Sequence, residues 1–325
     1  MTVRPAIVVL DQQSLGPSLS FRAPAFEHEW IAYDATRQDE IDARIDGARI
    51  VITNKVPLDG ALIARHPTLQ LIAVAATGYD VIDVAAATAN DVDVVNVRRY
   101  AEDSVPEHCF ALILALVRQL PAYRRSLPTG AWQRSGEFCY FEGPMQSLAG
   151  KTLGLIGYGS IARRVATIAR AFELQVIVNT RSPDADSTDV EFVALDTLYR
   201  RADVVSLHCP LTAATRGLID AAALSQMRTG AILINTARGP LLDDRAVVKA
   251  LDSGQLGGLG VDVLSVEPPP DDHPLLALAE RDNVIVTPHI AWGALEARQR
   301  LADQVIDLID AWAAGRPRHL LGRSA

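Results

Sequence analysis

The stretch at residues 151–164, KTLGLIGYGSIARR, constrains this chain more than any other. Leu153, Leu155 and Ile156 read as a buried parallel strand, and Ile161, Val165 and Ile168 recur at helical spacing after it. Between them Gly157, Gly159 and Ala162 stand in the order G-x-G-x-x-A, so the glycines fall at a strand-to-helix turn. A glycine triplet alone says little, but here each small residue has a task. Gly157 permits the tight turn, Gly159 lets a pyrophosphate approach the backbone, and Ala162 lets the helix pack closely on the strand. The amides of Gly159, Ser160 and Ile161 then lie at a helix N-terminus, where unpaired donors and the positive dipole end favour an anion. The plain alternative is a strand, turn and helix with no ligand.

The rest of the chain alternates in the same way. After the glycine turn, strand-like runs at 152–156, 175–178, 203–207, 231–235, 259–263 and 283–287 are separated by helical stretches such as 161–172 and 243–253. Such a series, with a glycine fingerprint on its first strand, describes a dinucleotide-binding doubly wound sheet. Before the turn, apolar runs at 6–10, 49–53, 69–75 and 91–95 alternate with helix-like stretches at 38–46 and 83–90. Strands buried on both sides and spaced by helices mean a second parallel sheet. A chain of 325 residues, 49% apolar, can fill two cores. The expected organisation is therefore α/β with two doubly wound parallel-sheet domains. Residues 1–100 and 289–325 form a substrate-binding domain, and residues 101–288 a dinucleotide-binding one. The last helix, at 294–314, carries Leu301, Val305, Ile306, Leu308, Ile309 and Trp312 with no strand after it, and is free to complete the first lobe. A long apolar helix at 102–124 reads as the connector. Residues 127–150, rich in Gly, Pro and aromatics without a clean period, read as an arm for a second subunit, so a homodimer is expected.

Several partners are excluded on composition. No apolar run reaches the roughly 18 residues of a membrane span, and the candidate at 109–117 soon meets Arg118. Arg4 and Pro5 precede one strand-length run with no cleavage pattern, so no signal peptide is expected and the location is read as cytoplasmic. Cys109, Cys139 and Cys209 lack CxxC spacing, which argues against a disulfide framework and against a metal site, and they are expected as reduced, buried thiols. A net charge of −8 argues against nucleic acid and anionic membranes. An anionic substrate would need a locally basic pocket.

The strand after the glycine turn ends Val178, Asn179, Thr180, Arg181, Ser182. NAD-binding sheets usually place a carboxylate about 20 residues beyond the glycines, on the ribose hydroxyls. Here none stands where it would repel a 2′-phosphate, and a guanidinium suited to phosphate is present. That favours NADP(H). NAD(H) is the alternative, with Arg181 solvated and Asp184 or Asp186 turned back to the ribose.

Three segments each follow a strand and end in a reactive side chain: ILINTARGP with Arg238, GLGVDVLSVEP with Glu267, and NVIVTPHIAW with His289. Strand ends on one side of a parallel sheet share a rim, where ligands bind, so distant residues can converge. Carbonyl reduction needs a proton for the developing alkoxide, which a histidine can deliver near neutral pH. A carboxylate beside the ring orients it and favours its protonated form, a task for Glu267. A 2-oxo acid presents carboxylate and carbonyl oxygens side by side, and the planar fork of Arg238 suits such a pair. His208 and Cys209 read as buried loop residues near the cofactor, Arg98 and Arg99 as a solvated loop, and His108 as a packing or capping residue.

On these motifs the sequence resembles the D-isomer-specific 2-hydroxyacid dehydrogenases. GLIGYGSIAR, SLHCPLTAATRGLID, LINTARGPLLDD, GLGVDVLSVEP and TPHIAW occur in order over nearly the whole chain. Within the family it looks most like the glycerate dehydrogenase and hydroxypyruvate or glyoxylate reductase branch, on TNKVPL at 53–58, AVAATGYDVIDVAAA at 73–87 and HIAWGALEARQRL at 289–301. The resemblance implies a Rossmann domain and a smaller flavodoxin-like domain, with cofactor on the former and substrate in a cleft whose closure excludes water. It implies that Arg238 binds and polarises the substrate, Glu267 pairs with the histidine, and His289 is the general acid/base. It assigns the turn of Ala76, Thr77 and Gly78 to the substrate carboxylate and places Lys55 and Trp292 near the pocket. Cofactor contacts follow from Gly157, Gly159, Ser160 and Ile161, from Thr180, Arg181 and Ser182, and from His208, Cys209, Pro210 and Thr215. Thr236 and Ala237 complete that set, with Val105 behind the nicotinamide and Asp262 on its carboxamide. Tyr79, Asp80 and Val81 depart from the branch, where polar or small residues are usual. Rival readings are a formate or phosphite dehydrogenase, disfavoured because formate enzymes carry Gln where Glu267 stands, and a co-repressor-like nucleotide-sensing protein.

Overall fold

A computed structural model of the chain describes residues 4–17, 19–183 and 188–322. The chain divides into two compact units, Met1–Ala101 with Gly293–Ala325, and Glu102–Trp292. The second boundary falls after Trp292 and not after Pro288, because the buried Asp262 carboxylate accepts the amides of Ile290 and Ala291, each at 2.8 Å, and ties residues 289–292 to the second unit.

In the first unit five parallel strands, β1 Ala6–Val9, β2 Glu29–Ala32, β3 Ile50–Thr53, β4 Leu71–Val74 and β5 Asp93–Asn96, lie in the order β2-β1-β3-β4-β5. Ile7 pairs with Trp30 on one side and Ile50 on the other, so the order reverses between β1 and β3. The central strands IVIT and LIAV are buried at every position, as expected of a sheet covered on both faces. Asp59 and Asp83 accept the amides of Leu62 and Ala86 and so begin the helices Gly60–Arg65 and Val84–Ala89. The Leu295–Ala313 helix buries Leu301, Val305, Ile306 and Ile309 and packs on β4. Its Trp312 donates to Asp93 Oδ2 at 2.8 Å.

Three expectations need correction here. β2, EWIA, is an edge strand with half-buried and exposed positions only, so it leaves no apolar run to read. A strand does follow the last helix: Leu320–Leu321 pairs antiparallel with β5. The helix expected at 38–46 is a 3-10 turn, Gln38–Glu40, followed by Ile41–Arg44.

In the second unit β6 Thr152–Ile156, β7 Gln175–Asn179, β8 Glu191–Phe192, β9 Val204–Leu207, β10 Ala231–Asn235, β11 Leu256–Val261 and β12 Val284–Val286 form one parallel sheet, ordered β12-β11-β10-β9-β6-β7-β8. The order reverses between β6 and β9, beside the glycine turn. β8 is a two-residue edge strand that escaped the sequence reading. The expected 102–124 helix is two helices, Ser104–Val117 and Leu120–Ser126, joined through Gln119 at φ +55°. Pro121 explains the break: it has no amide to donate, and in a continuous helix its ring would clash with the Val117 carbonyl. The arm carries a 3-10 turn, Leu127–Thr129, and a short helix, Ala131–Ser135, with Phe138 and Phe141 exposed. Cys109 is buried and Cys209 half-buried, but Cys139, on the irregular part of the arm, is exposed, against expectation. Among the described residues no helix is long and apolar enough to cross a membrane.

Candidate active site

The glycine turn opens the helix Ser160–Ala171. Gly157 has φ +93°, and a Cβ there would stand 2.7 Å from the His208 carbonyl and the Cys209 amide, so the turn lies flat against the loop leaving β9. Gly159 differs: a Cβ there would meet nothing within 4 Å, and no side chain caps the helix it begins. The protein itself has no steric need for glycine at that point, and Gly159 and Ser160 are exposed at the start of the helix, which fits a pyrophosphate. Ala162 is fully buried, as close packing of the helix requires.

His208 is half-buried, contacts Ser206 Oγ at 2.9 Å, and is held neutral by burial, which pulls its pKa down to about 4. Burial raises the Cys209 thiol's pKa, and the nearby Arg181 guanidinium partly offsets it. Thr215 Oγ1 donates to the Pro210 carbonyl at 2.7 Å and shapes the same loop. At the end of β7, Asn179 is tied to the Val193 carbonyl, while Arg181 and Ser182 are exposed beside a half-buried Thr180. Among the described residues Arg181 has no ion-pair partner; Asp184 and Asp186 lie outside them.

The reactive side chains stand at the carboxyl ends of β10, β11 and β12. Asn235, fully buried at the end of β10, accepts the Ala237 amide at 3.0 Å and donates to the Arg238 carbonyl at 2.9 Å, which fixes the loop presenting Arg238. Any Cβ on Gly239 would sit 1.9 Å from the Leu264 carbonyl oxygen, so this loop is pressed backbone to backbone onto the one carrying Glu267. Glu267 accepts the Leu264 amide through Oε1 at 2.9 Å and faces His289 Nδ1 through Oε2 at 2.6 Å. The short contact assigns the Nδ1 proton, leaving Nε2 as the nitrogen for exchange with another molecule. His289 has φ +56°, a left-handed conformation that costs about 1 kcal/mol, and its amide is held by the Asp262 carbonyl at 2.8 Å.

Asp262, expected at the nicotinamide carboxamide, is 1% exposed, and its carboxylate accepts Thr287 Oγ1 at 2.6 Å besides the Ile290 and Ala291 amides. In the structure it anchors the His289 loop. His108 Nε2 joins this set through Thr287 Oγ1 at 2.9 Å. Trp292 gives its indole N–H to the His289 carbonyl at 3.0 Å. Thr236 Oγ1 lies 3.1 Å from Cys109, a thiol pushed up to about 12 by burial and therefore inert. Val105 is buried at the first turn of the Ser104–Val117 helix, whose Ser104 donates to the Ala291 carbonyl at 2.6 Å. Asn235, Gly239, Thr287 and Leu264 were missed as supports; only Asn235, a turn-former closing an apolar strand, left a readable signal.

The remaining expected substrate residues belong to the first unit. Lys55 follows β3, with its amide on Asp11 Oδ2 at 2.7 Å and its side chain exposed. Ala76, Thr77 and Gly78 follow β4, and the Thr77 carbonyl is held by the buried Asn96 at 2.7 Å.

Residues 110–291 match the family model of the D-isomer specific 2-hydroxyacid dehydrogenase, NAD binding domain. A glycerate dehydrogenase of Methylorubrum extorquens is 43% identical over 316 residues, covering 97% of this chain and 98% of that protein. The chain belongs to the D-isomer specific 2-hydroxyacid dehydrogenases. Like other members it is an NAD(P)-dependent oxidoreductase acting on CH–OH groups. A hydroxypyruvate reductase of Blautia hydrogenotrophica is 34% identical and covers 98% of this dehydrogenase chain and 99% of its own. Among solved structures an acyclic imino acid reductase in complex with NADPH and D-Arg superposes with a TM-score of 0.82 at 28% identity, over 97% of this chain and 99% of that one. The two parallel-sheet domains are those of the family, and the resemblance to its glycerate dehydrogenase and hydroxypyruvate reductase branch holds.

Proposed function

We propose that this dehydrogenase reduces a small 2-oxo acid, of the glyoxylate or hydroxypyruvate kind, to the D-2-hydroxy acid, with NADPH as preferred reductant and His289 as general acid/base. The 2.6 Å pairing of His289 Nδ1 with Glu267 Oε2 carries the reading. It leaves Nε2 as the proton donor while the carboxylate balances the charge of the imidazolium. A reduced nicotinamide held by this unit would supply the hydride needed at the substrate carbonyl carbon. Arg238 grips the carboxylate and carbonyl oxygens and draws charge towards the oxygen that His289 protonates. In oxidation the neutral imidazole takes the hydroxyl proton instead.

The Gly157 turn with the Ser160 and Ile161 amides would hold the pyrophosphate, and Arg181, flanked by Thr180 and Ser182, would hold the 2′-phosphate. The exposed position of that guanidinium, which has no ion-pair partner among the described residues, supports NADPH over NADH. In the first unit the amides of the Ala76 to Gly78 turn take the substrate carboxylate, with Lys55 beside them. The exposed aromatics of the arm, Phe138 and Phe141, support a homodimer, and the location is read as cytoplasmic. Initial rates across a panel of small 2-oxo acids, with NADPH and NADH in parallel, test this. Turnover of glyoxylate or hydroxypyruvate with NADPH ahead of NADH is expected. Tight NADPH binding with no 2-oxo acid consumed would overturn the reading.

A further inference from the structure

Beside the turn that presents Glu267 lies a polar cluster of the half-buried Ser265 and Asp244 around the buried His273. Ser265 Oγ donates to Asp244 Oδ2 at 2.6 Å and lies 3.0 Å from His273 Nε2. His273 is 3% exposed, and its Nδ1 accepts the Leu275 amide at 3.3 Å. That bond fixes the tautomer. With the Nδ1 lone pair engaged, the proton sits on Nε2 and is given to Ser265, whose own proton goes to Asp244. The result is a cluster in which the Leu275 amide, His273 and Ser265 lead to the Asp244 carboxylate, which His273 Nε2 also faces directly at 3.4 Å. Despite its composition this is not a nucleophilic triad: the imidazole has no lone pair facing the serine and so cannot take its proton.

The cluster bears on the reacting groups through the backbone. Ser265 follows Leu264, whose amide holds Glu267 Oε1 and whose carbonyl is pressed against Gly239. The 264–267 turn is thus held both by its close approach to Gly239 and by the Ser265 hydroxyl. We propose that Ser265, Asp244 and His273 form a positioning network that holds the Glu267 carboxylate against His289 and so sets the protonation of the imidazole during turnover. This rests on the acid/base reading of His289 given above. The network touches neither substrate nor cofactor in that reading, so it acts on the proton step and not on binding.

The test compares the pH dependence of 2-oxo acid reduction in the full-length wild type and in S265A, D244N and S265T. With the turn released, Glu267 stabilises the imidazolium less, and the fall in rate with rising pH begins earlier. S265A and D244N are expected to shift that fall by about half a unit towards lower pH. Their kcat should drop roughly tenfold while KM for NADPH stays unchanged. S265T keeps the hydroxyl and should keep the wild-type profile. Arg238, Asp262, His108 and Cys109, titratable groups described near this turn and the His289 loop, are untouched by the substitutions. A wild-type profile in folded S265A would overturn the proposal, and should S265A not fold, D244N decides in the same way. H289A run alongside separates the two claims: if it retains turnover, the acid/base reading fails. If it is dead while S265A and D244N titrate like the wild type, only the positioning network fails.

Discussion

The rim of the second unit's sheet has two halves that are built differently. At the ends of β10, β11 and β12 the polar side chains are anchored by the protein itself: Asn235 on its own turn, Glu267 on the Leu264 amide and His289, Asp262 on two amides and a hydroxyl. At the glycine turn after β6 and in the loop beyond Asn179 the opposite holds. Gly159 faces open space, the helix after it has no side-chain cap, and Arg181 is exposed. The anchored half suits groups that must meet a transition state already in place, whereas the open half suits groups that a charged ligand completes.

Substitutions can break this contrast. The largest effect is expected at the anchored half. H289A should lower kcat by about 10³-fold, within the range for a lost general acid, while NADPH affinity measured by fluorescence titration stays near wild type. Equal losses in both would mean that the ring supports the cofactor instead. Next comes the open half. G159A should leave the melting temperature nearly unchanged, because its Cβ meets no protein atom, yet weaken NADPH binding about tenfold by crowding the pyrophosphate. A melting temperature that falls without loss of affinity would make Gly159 a structural glycine like Gly157. R181A should raise KM for NADPH about tenfold, the order of one charge-assisted hydrogen bond, and leave KM for NADH alone. A rise in both would remove the 2′-phosphate role.

The smallest effect concerns the loop between the halves. His208 is held neutral with a pKa near 4, below its ordinary 6.5, so its contribution to stability is complete above about pH 6.5 and is lost as pH falls towards about 4. Thermal unfolding between pH 7 and pH 4.5 should show a decline that H208Q lessens. Identical declines in both proteins would assign the loss to other groups.

Much of this contrast was legible in the chain. The glycine turn and the three reactive loops announce themselves because each follows a strand buried on both faces, which leaves an uninterrupted apolar run. Edge strands do not: β2 shares its faces with solvent, and β8 and Leu320–Leu321 are two residues long. Pro121 was visible, but the apolar pattern ran through it and hid the break at Gln119. The anchors of the site were harder still. Gly239 is needed only because Leu264 lies against it, and Ser265 matters only beside His273 and Asp244. Such contacts join loops distant in sequence and leave no local period.

The central claim is that His289, held by Glu267, moves the proton. Single-turnover rates of 2-oxo acid reduction and 2-hydroxy acid oxidation, followed across pH with saturating cofactor, test it most directly. Reduction should slow and oxidation quicken as pH rises, because one direction uses the protonated ring and the other the neutral ring. Rates that stay flat in both directions would contradict the account.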